Sequence, residues 1–586
     1  MSRNEFRLSA VWVPIRRHAP LLCLAALLAG CVAQEPEVRL SVGSLTNGSG
    51  TAESYYHYII GLRQEIAGNI KEAEASYIRA VEKDPNSAVL LTRQASLLVR
   101  KGRLDEAESA ARRAISIDPG NAQAYLLLGG VYTARKKLPE AVKAYESLLR
   151  IKPKEREALL LLGTSYLEMG RNREAVETLQ KLLALRDTDN LARMYLARGL
   201  MRLKRYPEAK RALKRITERR PRFTRGLMML GRLYELTKDF GAAERAYKRV
   251  LSYDPDNRSA RGRLGRVYIR KNKIKSALRE YTQLSQDEPG NLDVHRTLGF
   301  LRFEQRQFQD ALREFRFVLG RRPKDAVVRR YVAAIYEETK QPGLAEKELR
   351  KLVALVPGHV RGYLQLARML GNQKRWKEAL DILGKAEKAH PRDARLAFLH
   401  GLLFSRQKRY DDSILQFERA IRIEPKQVNY RFSLATSYYE LKRYEDVEAV
   451  VRELLQIQPK HANALNLLGY MFSVINKNIG EAERLLNRAL AVEPNNAAFL
   501  DSLGWIYYRQ GRFREALAKI KIAATQMPED PVILDHMGDI HFSLKNLSKA
   551  LVFWRKSYKF DSKNKNVIEK IRRHGGAGVK TRLKEM

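Results

Sequence analysis

Residues 496–530, NAAFLDSLGWIYYRQGRFREALAKIKIAATQMPED, decide the fold of this chain. The first half places apolar or small residues at the three-and-four spacing of one helical face, namely Leu500, Leu503, Gly504 and Tyr507. The second half repeats that spacing with Ala516, Ile520 and Ala523. Residues 509–512, Arg-Gln-Gly-Arg, mark a turn, and Pro528 ends the second helix because proline cannot continue one. A hairpin this short cannot bury its apolar face alone, so the pattern predicts further hairpins beside it.

The same hairpin recurs along nearly the whole chain. Counted back from Pro528, a proline occurs every 34 residues, except that one interval, which contains residues 475–480, is 35 residues long. At one point in the series Asp187 replaces the proline. Thirteen of the 20 prolines belong to this series, namely Pro85, Pro119, Pro153, Pro221, Pro255, Pro289, Pro323, Pro357, Pro391, Pro425, Pro459, Pro494 and Pro528. The sequence therefore predicts 15 repeats of 34 or 35 residues over residues 54–564.

Three columns of the repeat predict how its helices pack. With residue 54 as position 1, position 8 is Gly or Ala in all 15 repeats, and position 20 is Ala in 13, Ser413 and Val447 being the exceptions. We expect the two helices of one hairpin to approach at these points, because a larger side chain would push them apart. Position 11 is tyrosine in seven repeats, and we expect its ring to fill the space between successive repeats.

This pattern resembles the tetratricopeptide repeat (TPR), whose period is 34 residues with small residues and a closing proline at these places. The resemblance implies an all-α fold, a right-handed superhelical solenoid of about 15 helical hairpins whose concave groove is lined by the first helix of each hairpin. The last repeat needs a lid. Val567, Ile568 and Ile571 predict a capping helix within residues 565–586, followed by a basic tail.

The first 30 residues have the layout of a secretory signal. Four arginines precede an apolar run at residues 21–29, which is too short to span a bilayer. Leu28-Ala29-Gly30-Cys31 resembles a bacterial lipobox, which implies loss of residues 1–30 and attachment of lipid to Cys31. The alternatives are an uncleaved anchor or an ordinary signal peptide with a chance cysteine. Val32 in place of aspartate implies an outer-membrane lipoprotein facing the periplasm, with residues 31–53 as a flexible tether.

The chain is strongly basic, with a net charge of +43, or +40 without residues 1–30. One interpretation is ordinary solvated helix surface. The distribution favours another, since residues 190–325 hold 35 Lys and Arg against 15 Asp and Glu. The predicted anion- or peptide-binding residues are Arg198, Arg232 and Arg266 at position 9, which faces the groove by resemblance, joined by Arg202, Arg225, Arg270 and Arg296 at other groove positions. Arginine binds carboxylate or phosphate through paired hydrogen bonds.

Three kinds of partner fit such a groove. They are an acidic or carboxylate-ended peptide, an anionic polysaccharide or lipid head group, and nucleic acid. The predicted export argues against nucleic acid. Some TPR domains hold peptide carboxyl termini with asparagine at position 9, and the arginines found here mean that this clamp does not transfer.

The sequence predicts no catalytic residue, metal ligand or cofactor, so we expect no enzyme. It contains no HExxH pair, Walker loop, dinucleotide fingerprint, GxSxG elbow or CxxC pair. His536 and His541 share a predicted helix, but their separation of five places them on different faces, and His541 falls at the packing position 11. Trp505 and Trp554 are also expected to pack rather than to bind a ligand.

Two segments, DSLGWIYY at residues 501–508 and DHMGD at residues 535–539, resemble bacterial outer-membrane TPR lipoproteins. One such relative is an adaptor that delivers substrates to a carboxyl-terminal processing protease. The resulting hypothesis is a lipid-anchored scaffold or adaptor that holds protein partners in the bacterial envelope. The alternative is a component of exopolysaccharide or envelope assembly that holds an anionic polymer in the basic groove.

Overall fold

The computed structural model of the protein describes residues 52–575. The predicted signal peptide, Cys31 and the basic tail from Val579 lie outside these residues. The regular elements described are 31 α-helices: α1 (Ala52–Ile66), α2 (Ile70–Lys83), α3 (Ala88–Arg100), α4 (Leu104–Ile117), α5 (Ala122–Ala134), α6 (Leu138–Ile151), α7 (Arg156–Glu168), α8 (Asn172–Leu185), α9 (Asn190–Arg202), α10 (Tyr206–Arg219), α11 (Thr224–Leu236), α12 (Phe240–Tyr253), α13 (Arg258–Arg270), α14 (Ile274–Asp287), α15 (Leu292–Glu304), α16 (Phe308–Arg321), α17 (Ala326–Glu338), α18 (Pro342–Leu355), α19 (Val360–Asn372), α20 (Trp376–Ala389), α21 (Ala394–Arg406), α22 (Tyr410–Ile423), α23 (Val428–Glu440), α24 (Tyr444–Ile457), α25 (Ala462–Val474), α26 (Ile479–Val492), α27 (Ala497–Arg509), α28 (Phe513–Gln526), α29 (Pro531–Ser543), α30 (Leu547–Phe560) and α31 (Lys565–His574).

Successive helices pair into 15 hairpins, from α1–α2 (hairpin 1) to α29–α30 (hairpin 15), and the two helices of each are named A and B. The described residues form two compact parts, an N-terminal half that ends at Val294 and a C-terminal half that begins at His295. The predicted all-α array of TPR-like hairpins is confirmed. The predicted cap is present as well, since α31 buries Val567 and Ile571 against hairpin 15. None of the helices in the described part of the chain is both long and apolar enough to cross a membrane.

Local chemistry sets where each helix begins. Many A helices start at a polar side chain in position 34 of the preceding repeat, which accepts a hydrogen bond from a free backbone N–H of the first turn. Asn121 accepts from the amide of Ala124 at 3.0 Å, and Asp189 accepts from that of Ala192 at 2.9 Å. The repeat therefore carries its own helix start signal.

Every A–B turn contains a left-handed residue at position 15. Its φ lies between 56° and 83° in all 15 hairpins. Glycine fills this position in four hairpins, but lysine fills it in eight, namely Lys136, Lys204, Lys238, Lys340, Lys374, Lys408, Lys442 and Lys545. A side chain with a Cβ is strained in this conformation, so these turns are held by the packing of the two helices that they join.

Position 8 packs as the sequence predicts, and the structure identifies its partner. A Cβ added to Gly129 would lie 2.7 Å from Cδ1 of Tyr145, and one added to Gly231 would lie 2.5 Å from Cε1 of Tyr247. These rings occupy position 24 on helix B of the same hairpin and are fully buried. The missing side chain therefore makes the notch in helix A into which the ring of helix B fits.

The other two predicted columns are confirmed as well. Position 20 is completely buried in every hairpin, from Ala73 to Ala550, including Ser413 and Val447. The position 11 tyrosines are buried too. Four of their hydroxyl groups form hydrogen bonds with the preceding hairpin, those of Tyr132, Tyr166, Tyr336 and Tyr438. Tyr438 Oη, for example, donates to Glu418 Oε1 at 3.0 Å. Burial of these rings joins neighbouring hairpins, and their polar ends are satisfied at the surface.

Candidate functional site

Three arginines at position 9 lie on the A helices of three successive hairpins in the N-terminal half, α9, α11 and α13. Arg198, Arg232 and Arg266 are all exposed. Within residues 52–575, none of the three forms an ion pair or a hydrogen bond. This arginine ladder (Arg198, Arg232 and Arg266) therefore presents guanidinium groups that the described part of the chain leaves available for an anion.

The charges around Arg232 also favour binding of an anion. Its pKa is lowered, first because its guanidinium loses part of its hydration and then because Arg263 and Arg198 place positive charges nearby. The nearest acid, Glu235, is already paired with Arg263, whose Nη1 lies 3.0 Å from Glu235 Oε1. An external carboxylate or phosphate would relieve this repulsion of like charges.

The other predicted arginines of the N-terminal half divide into two kinds. Arg225 and Arg270 are exposed and, like the ladder, have no ion pair within the described residues. Arg202 is engaged, since its Nη1 donates to the backbone oxygen of Leu167 and lies 3.5 Å from Asn172 Oδ1. Arg202 therefore helps to hold α9 against the preceding hairpin.

Arg296 belongs to the C-terminal half and is placed differently from the ladder. Its Nε lies 3.4 Å from Asp325 Oδ2, and its side chain is only 12% exposed. The guanidinium carbon lies 5.6 Å from the ring centre of Phe300. Because this arginine has an acid and an aromatic ring of its own, we leave it out of the candidate site.

Arg263 is a member of the basic surface that the sequence reasoning missed. It lies at position 6 of α13, three residues before Arg266 and seven before Arg270, which is the spacing of one helical face. That spacing could have identified it. Its pairing with Glu235 joins α13 to α11 and engages the acid whose charge also acts on Arg232.

Two segments singled out in the sequence form a polar cluster in the C-terminal half. Asp501 on α27 and His536 on α29 are both buried, and His536 Nδ1 lies 2.9 Å from Asp501 Oδ1. The imidazole stacks on Trp505 with ring centres 4.1 Å apart, and Tyr508 stacks on Trp505 at 4.6 Å. Both faces of the indole are therefore covered, as expected for a packing residue, although part of the Trp505 side chain remains exposed.

A second part of this cluster reaches the capping helix. Lys570 Nζ of α31 lies 2.8 Å from Asp535 Oδ1 and 2.6 Å from Asp539 Oδ2. Trp554 Nε1 donates to Asp539 Oδ1 at 2.9 Å. Burial and the neighbouring charge of Asp539 raise the pKa of Asp535, although Lys570 opposes the rise. Lys570 thus forms salt bridges with both carboxylates.

The histidines were expected to be structural, and His541 is. It is buried, its ring lies parallel to Phe553 with centres 5.4 Å apart, and burial lowers its pKa. Within residues 52–575, no group of three or more His, Cys, Asp or Glu side chains is arranged to hold a metal ion. The described part of the chain therefore offers charged and aromatic helix surfaces as its candidate sites.

Comparisons with known proteins agree with this architecture. A family model described as the cilia and flagella-associated protein 70 middle TPR-like domain matches residues 61–186. Two models described as tetratricopeptide repeat match six segments, at residues 166–233, 236–301, 297–360, 364–428, 398–462 and 476–531.

Individual relatives match over shorter stretches or at lower identity. A TPR repeat-containing protein of Pseudomonas aeruginosa is 38% identical over 78 residues, which is 13% of this chain and 13% of that protein. The chain thus matches only a small part of that relative. Yeast Tom70 is 16% identical with a TM-score of 0.33, covering 84% of this chain and 96% of its own. A TPR protein from Parabacteroides merdae is 19% identical with a TM-score of 0.33, covering 43% and 99%.

The tetratricopeptide repeat models together match more than half of the residues, at the spacing of the hairpins described above. The chain belongs to the tetratricopeptide repeat family.

Proposed function

We propose that this TPR protein is an adaptor that holds a partner protein on the arginine ladder of hairpins 5–7. The observation that carries the proposal is that Arg198, Arg232 and Arg266 occupy the same position on three successive A helices, exposed and without an ion pair within residues 52–575. Each guanidinium can bind a carboxylate through two parallel hydrogen bonds. A partner segment with several acidic side chains would engage more than one arginine at once.

Apolar neighbours of the ladder favour a protein partner over a purely anionic polymer. Met194 and Met201 share a helical face with Arg198, at spacings of four and three residues, and both are half-buried. Leu236 follows Arg232 by four residues and is 55% exposed. Methionine adapts its shape to apolar side chains of a ligand. We therefore expect the bound segment to carry acidic and apolar residues together.

We further propose that the protein is tethered to the bacterial envelope through lipid on Cys31, at the outer membrane. Support comes from the basic leader, the short apolar run and the lipobox-like sequence that ends at Cys31. Metabolic labelling with a palmitate analogue, followed by membrane fractionation, tests it. The wild-type chain should be labelled and sediment with outer membranes, and Cys31→Ser should lose both the label and the sedimentation. A labelled Cys31→Ser chain would contradict lipid attachment at this residue.

Presentation of partners to a protease is the most specific form of this adaptor function. It rests on the resemblance of residues 501–508 and 535–539 to outer-membrane TPR lipoproteins, one of which serves such a protease. Capture of an envelope protease together with a second protein would support it. Capture of a single partner without a protease would leave a scaffold and remove the protease from the proposal.

A second candidate function is retention of an anionic polysaccharide. The periodic, single-sign surface of the ladder favours it, because such surfaces concentrate polyanions. Salt distinguishes the two candidates. Binding through many charge contacts weakens steeply as ionic strength rises, whereas a protein segment that also buries apolar side chains should dissociate much less.

The deciding experiment is a pull-down from detergent-solubilised envelope with two matched triple variants. The first changes the ladder (Arg198→Glu, Arg232→Glu and Arg266→Glu). The second makes the same charge change on the B helices of the same three hairpins, at the exposed residues Arg211, Arg245 and Arg279. We expect the ladder variant to lose the captured partner and the B-helix variant to keep it. Equal capture by both variants would show that the ladder is only solvated charge.

A further inference from the structure

A second surface, unlike the ladder, lies on the A helices of hairpins 12–14 in the C-terminal half. It consists of aromatic side chains at positions 5, 9 and 12, which share one helical face. This aromatic face comprises Phe432, Tyr439, Tyr470, Trp505 and Tyr508, all of them half-buried rather than buried.

Three of these rings, Phe432, Tyr439 and Tyr508, pack against the hydrophobic core on one side and remain partly exposed on another. Each of the three A helices already carries a buried ring at position 11, namely Tyr438, Phe472 and Tyr507. The neighbouring rings Tyr439, Tyr470 and Tyr508 lie on the adjacent, partly exposed side. Tyr439 and Tyr470 follow one another along this side with ring centres 6.5 Å apart. A run of partly exposed rings in addition to the buried rings of position 11 marks an interaction surface.

Three carboxylates lie beside the aromatic face. Asp501 lies on the same side of α27, and Asp535 and Asp539 hold the equivalent positions on α29, with Lys570 as the lysine that serves the last two. The amide oxygen of Asn466, at the equivalent position of α25, is buried without a hydrogen-bond partner in the described structure. Asp501 is paired with His536, but Asp535 and Asp539 share the single cation Lys570, and Asn466 lacks a donor in the described structure. This side of the helices can therefore accept a further cation or hydrogen-bond donor from a ligand.

We propose that the aromatic face binds a protein segment in which a lysine or arginine stands among large apolar side chains. The rings bury the apolar side chains, and the carboxylates together with the faces of exposed rings attract the cation. A sugar ligand fits less well, because both faces of Trp505 are covered by Tyr508 and His536 and cannot stack on a pyranose ring. The segment would thus have the opposite charge to the one proposed for the arginine ladder.

The test uses the full chain on an array of immobilised octapeptides of randomised sequence. We expect enrichment of peptides that carry lysine or arginine flanked by leucine, phenylalanine or tryptophan. The best peptide is then compared, by fluorescence anisotropy, with copies in which the cation becomes glutamate or the apolar residues become serine. Each change should weaken binding by about tenfold or more, which is the scale of one charge-assisted or buried aromatic contact.

Two matched double variants connect binding to this surface. Tyr439→Ser with Asp535→Asn alters the aromatic face and its acidic end. Tyr410→Ser with Asp411→Asn makes the same changes on helix B of hairpin 11. With circular dichroism confirming that both remain folded, the first should bind about tenfold more weakly and the second should bind normally. An array without the expected enrichment, equal binding of lysine and glutamate peptides, or equal loss in both variants would overturn the proposal.

The ladder variant separates this proposal from the adaptor function. Changing Arg198, Arg232 and Arg266 to glutamate should leave binding of the cationic peptide intact, since those residues take no part in the aromatic face. A parallel loss of binding in that variant would contradict an independent second surface.

Discussion

The arginine ladder of hairpins 5–7 and the aromatic face of hairpins 12–14 are built on the same helix positions and have opposite chemistry. Residues 190–325 hold 35 basic against 15 acidic side chains, whereas residues 428–564 hold 19 against 15. Position 9 is Arg198, Arg232 and Arg266 in one region, but Tyr470 and Trp505 in the other. The positions that pack the helices do not change, since position 20 is fully buried in both.

In this repeat, the positions that pack the helices are different from the positions that are available to bind a partner. Columns 8, 11, 20 and 24 meet other parts of the protein, so their size is fixed by close packing. The ladder and aromatic-face residues in columns 5, 9 and 12 are at least partly exposed, so their charge can differ between hairpins without altering the backbone. The two regions should therefore respond alike to changes in the shared columns and differently to changes in the columns that differ.

The largest effect is expected at the shared notch of position 8. Gly231→Val in the basic region and Gly538→Val in hairpin 15 should each destabilise the chain by about 3 kcal/mol, the upper part of the overpacking range. The facing rings cannot retreat, because Tyr247 Oη donates to Glu235 and Trp554 Nε1 donates to Asp539. Urea unfolding followed by circular dichroism measures the loss.

Gly384→Ala is the control for that experiment. Gly384 lies inside α20, and a Cβ there would meet nothing within 4 Å. Alanine should therefore stabilise the chain slightly, by up to about 1 kcal/mol, because it favours helix over glycine. A mild effect of valine at Gly231 or Gly538 would show that the notch is not a fixed packing site.

An effect of intermediate size is expected from pH, which should change the free energy of unfolding in opposite directions through Glu244 and Asp535. In hairpin 6, burial would raise the pKa of Glu244, but hydrogen bonds from Lys271 and Lys248 outweigh it and lower the pKa to about 2. Ionised Glu244 therefore stabilises the fold above its ordinary value of 4.5, and this stability is lost as pH falls towards 2. Glu244→Gln should cost on the order of 2 kcal/mol at pH 7 and flatten the acid limb of the stability curve.

Asp535 in hairpin 15 should show the reverse slope. Its pKa is raised from 3.8 by burial and by Asp539, so its ionised form is unfavourable in the folded chain at neutral pH. That penalty disappears as pH falls through the raised pKa, because the folded state then binds the proton more readily than the unfolded state. Asp535→Asn should be neutral or slightly stabilising at pH 7. Urea unfolding at a series of pH values measures both variants, and slopes of equal sign would contradict the comparison.

The smallest effect is expected at the turns, where the two regions are again alike. Lys238 and Lys442 both occupy position 15 with φ near 60°, which glycine adopts without strain. Lys238→Gly and Lys442→Gly should each raise the free energy of unfolding by about 0.5–1 kcal/mol. A clear destabilisation in one region only would mean that its lysine forms a contact that the other lacks.

Much of the fold could be predicted from the sequence because the same helix and turn pattern occurs in every repeat. One proline such as Pro528 indicates little, but 13 in one series leave a single arrangement of helices. The partner of Gly231 was harder to foresee, since Tyr247, Trp554 and Leu179 fill the same notch with different shapes. Side chains of this column share size and burial rather than a residue type, so a search for repeated letters misses it.

The candidate sites were only partly predictable, because pairing decides whether a charge is available. Arg296, like the ladder, was expected to face the groove, yet it forms an ion pair with Asp325, 29 residues later in the chain. The contact between Asp501 and His536 joins residues that are 35 positions apart, which is one repeat plus one position. Neither segment by itself contains a pattern that predicts this contact. The binding role of Arg198, Arg232 and Arg266 stays a prediction until a partner is tested.

The turn between α25 and α26 shows how such a gene can change length. It holds the extra residue of the 35-residue repeat and takes two left-handed asparagines, Asn476 and Asn478, while the flanking helices keep their normal bounds. One extra residue inside a helix would instead rotate every later side chain of that helix by about 100° about the helix axis. Apolar side chains that pack in the core would then face water. Insertions and deletions that survive selection in this chain should therefore gather at the A–B turns or come as whole repeats.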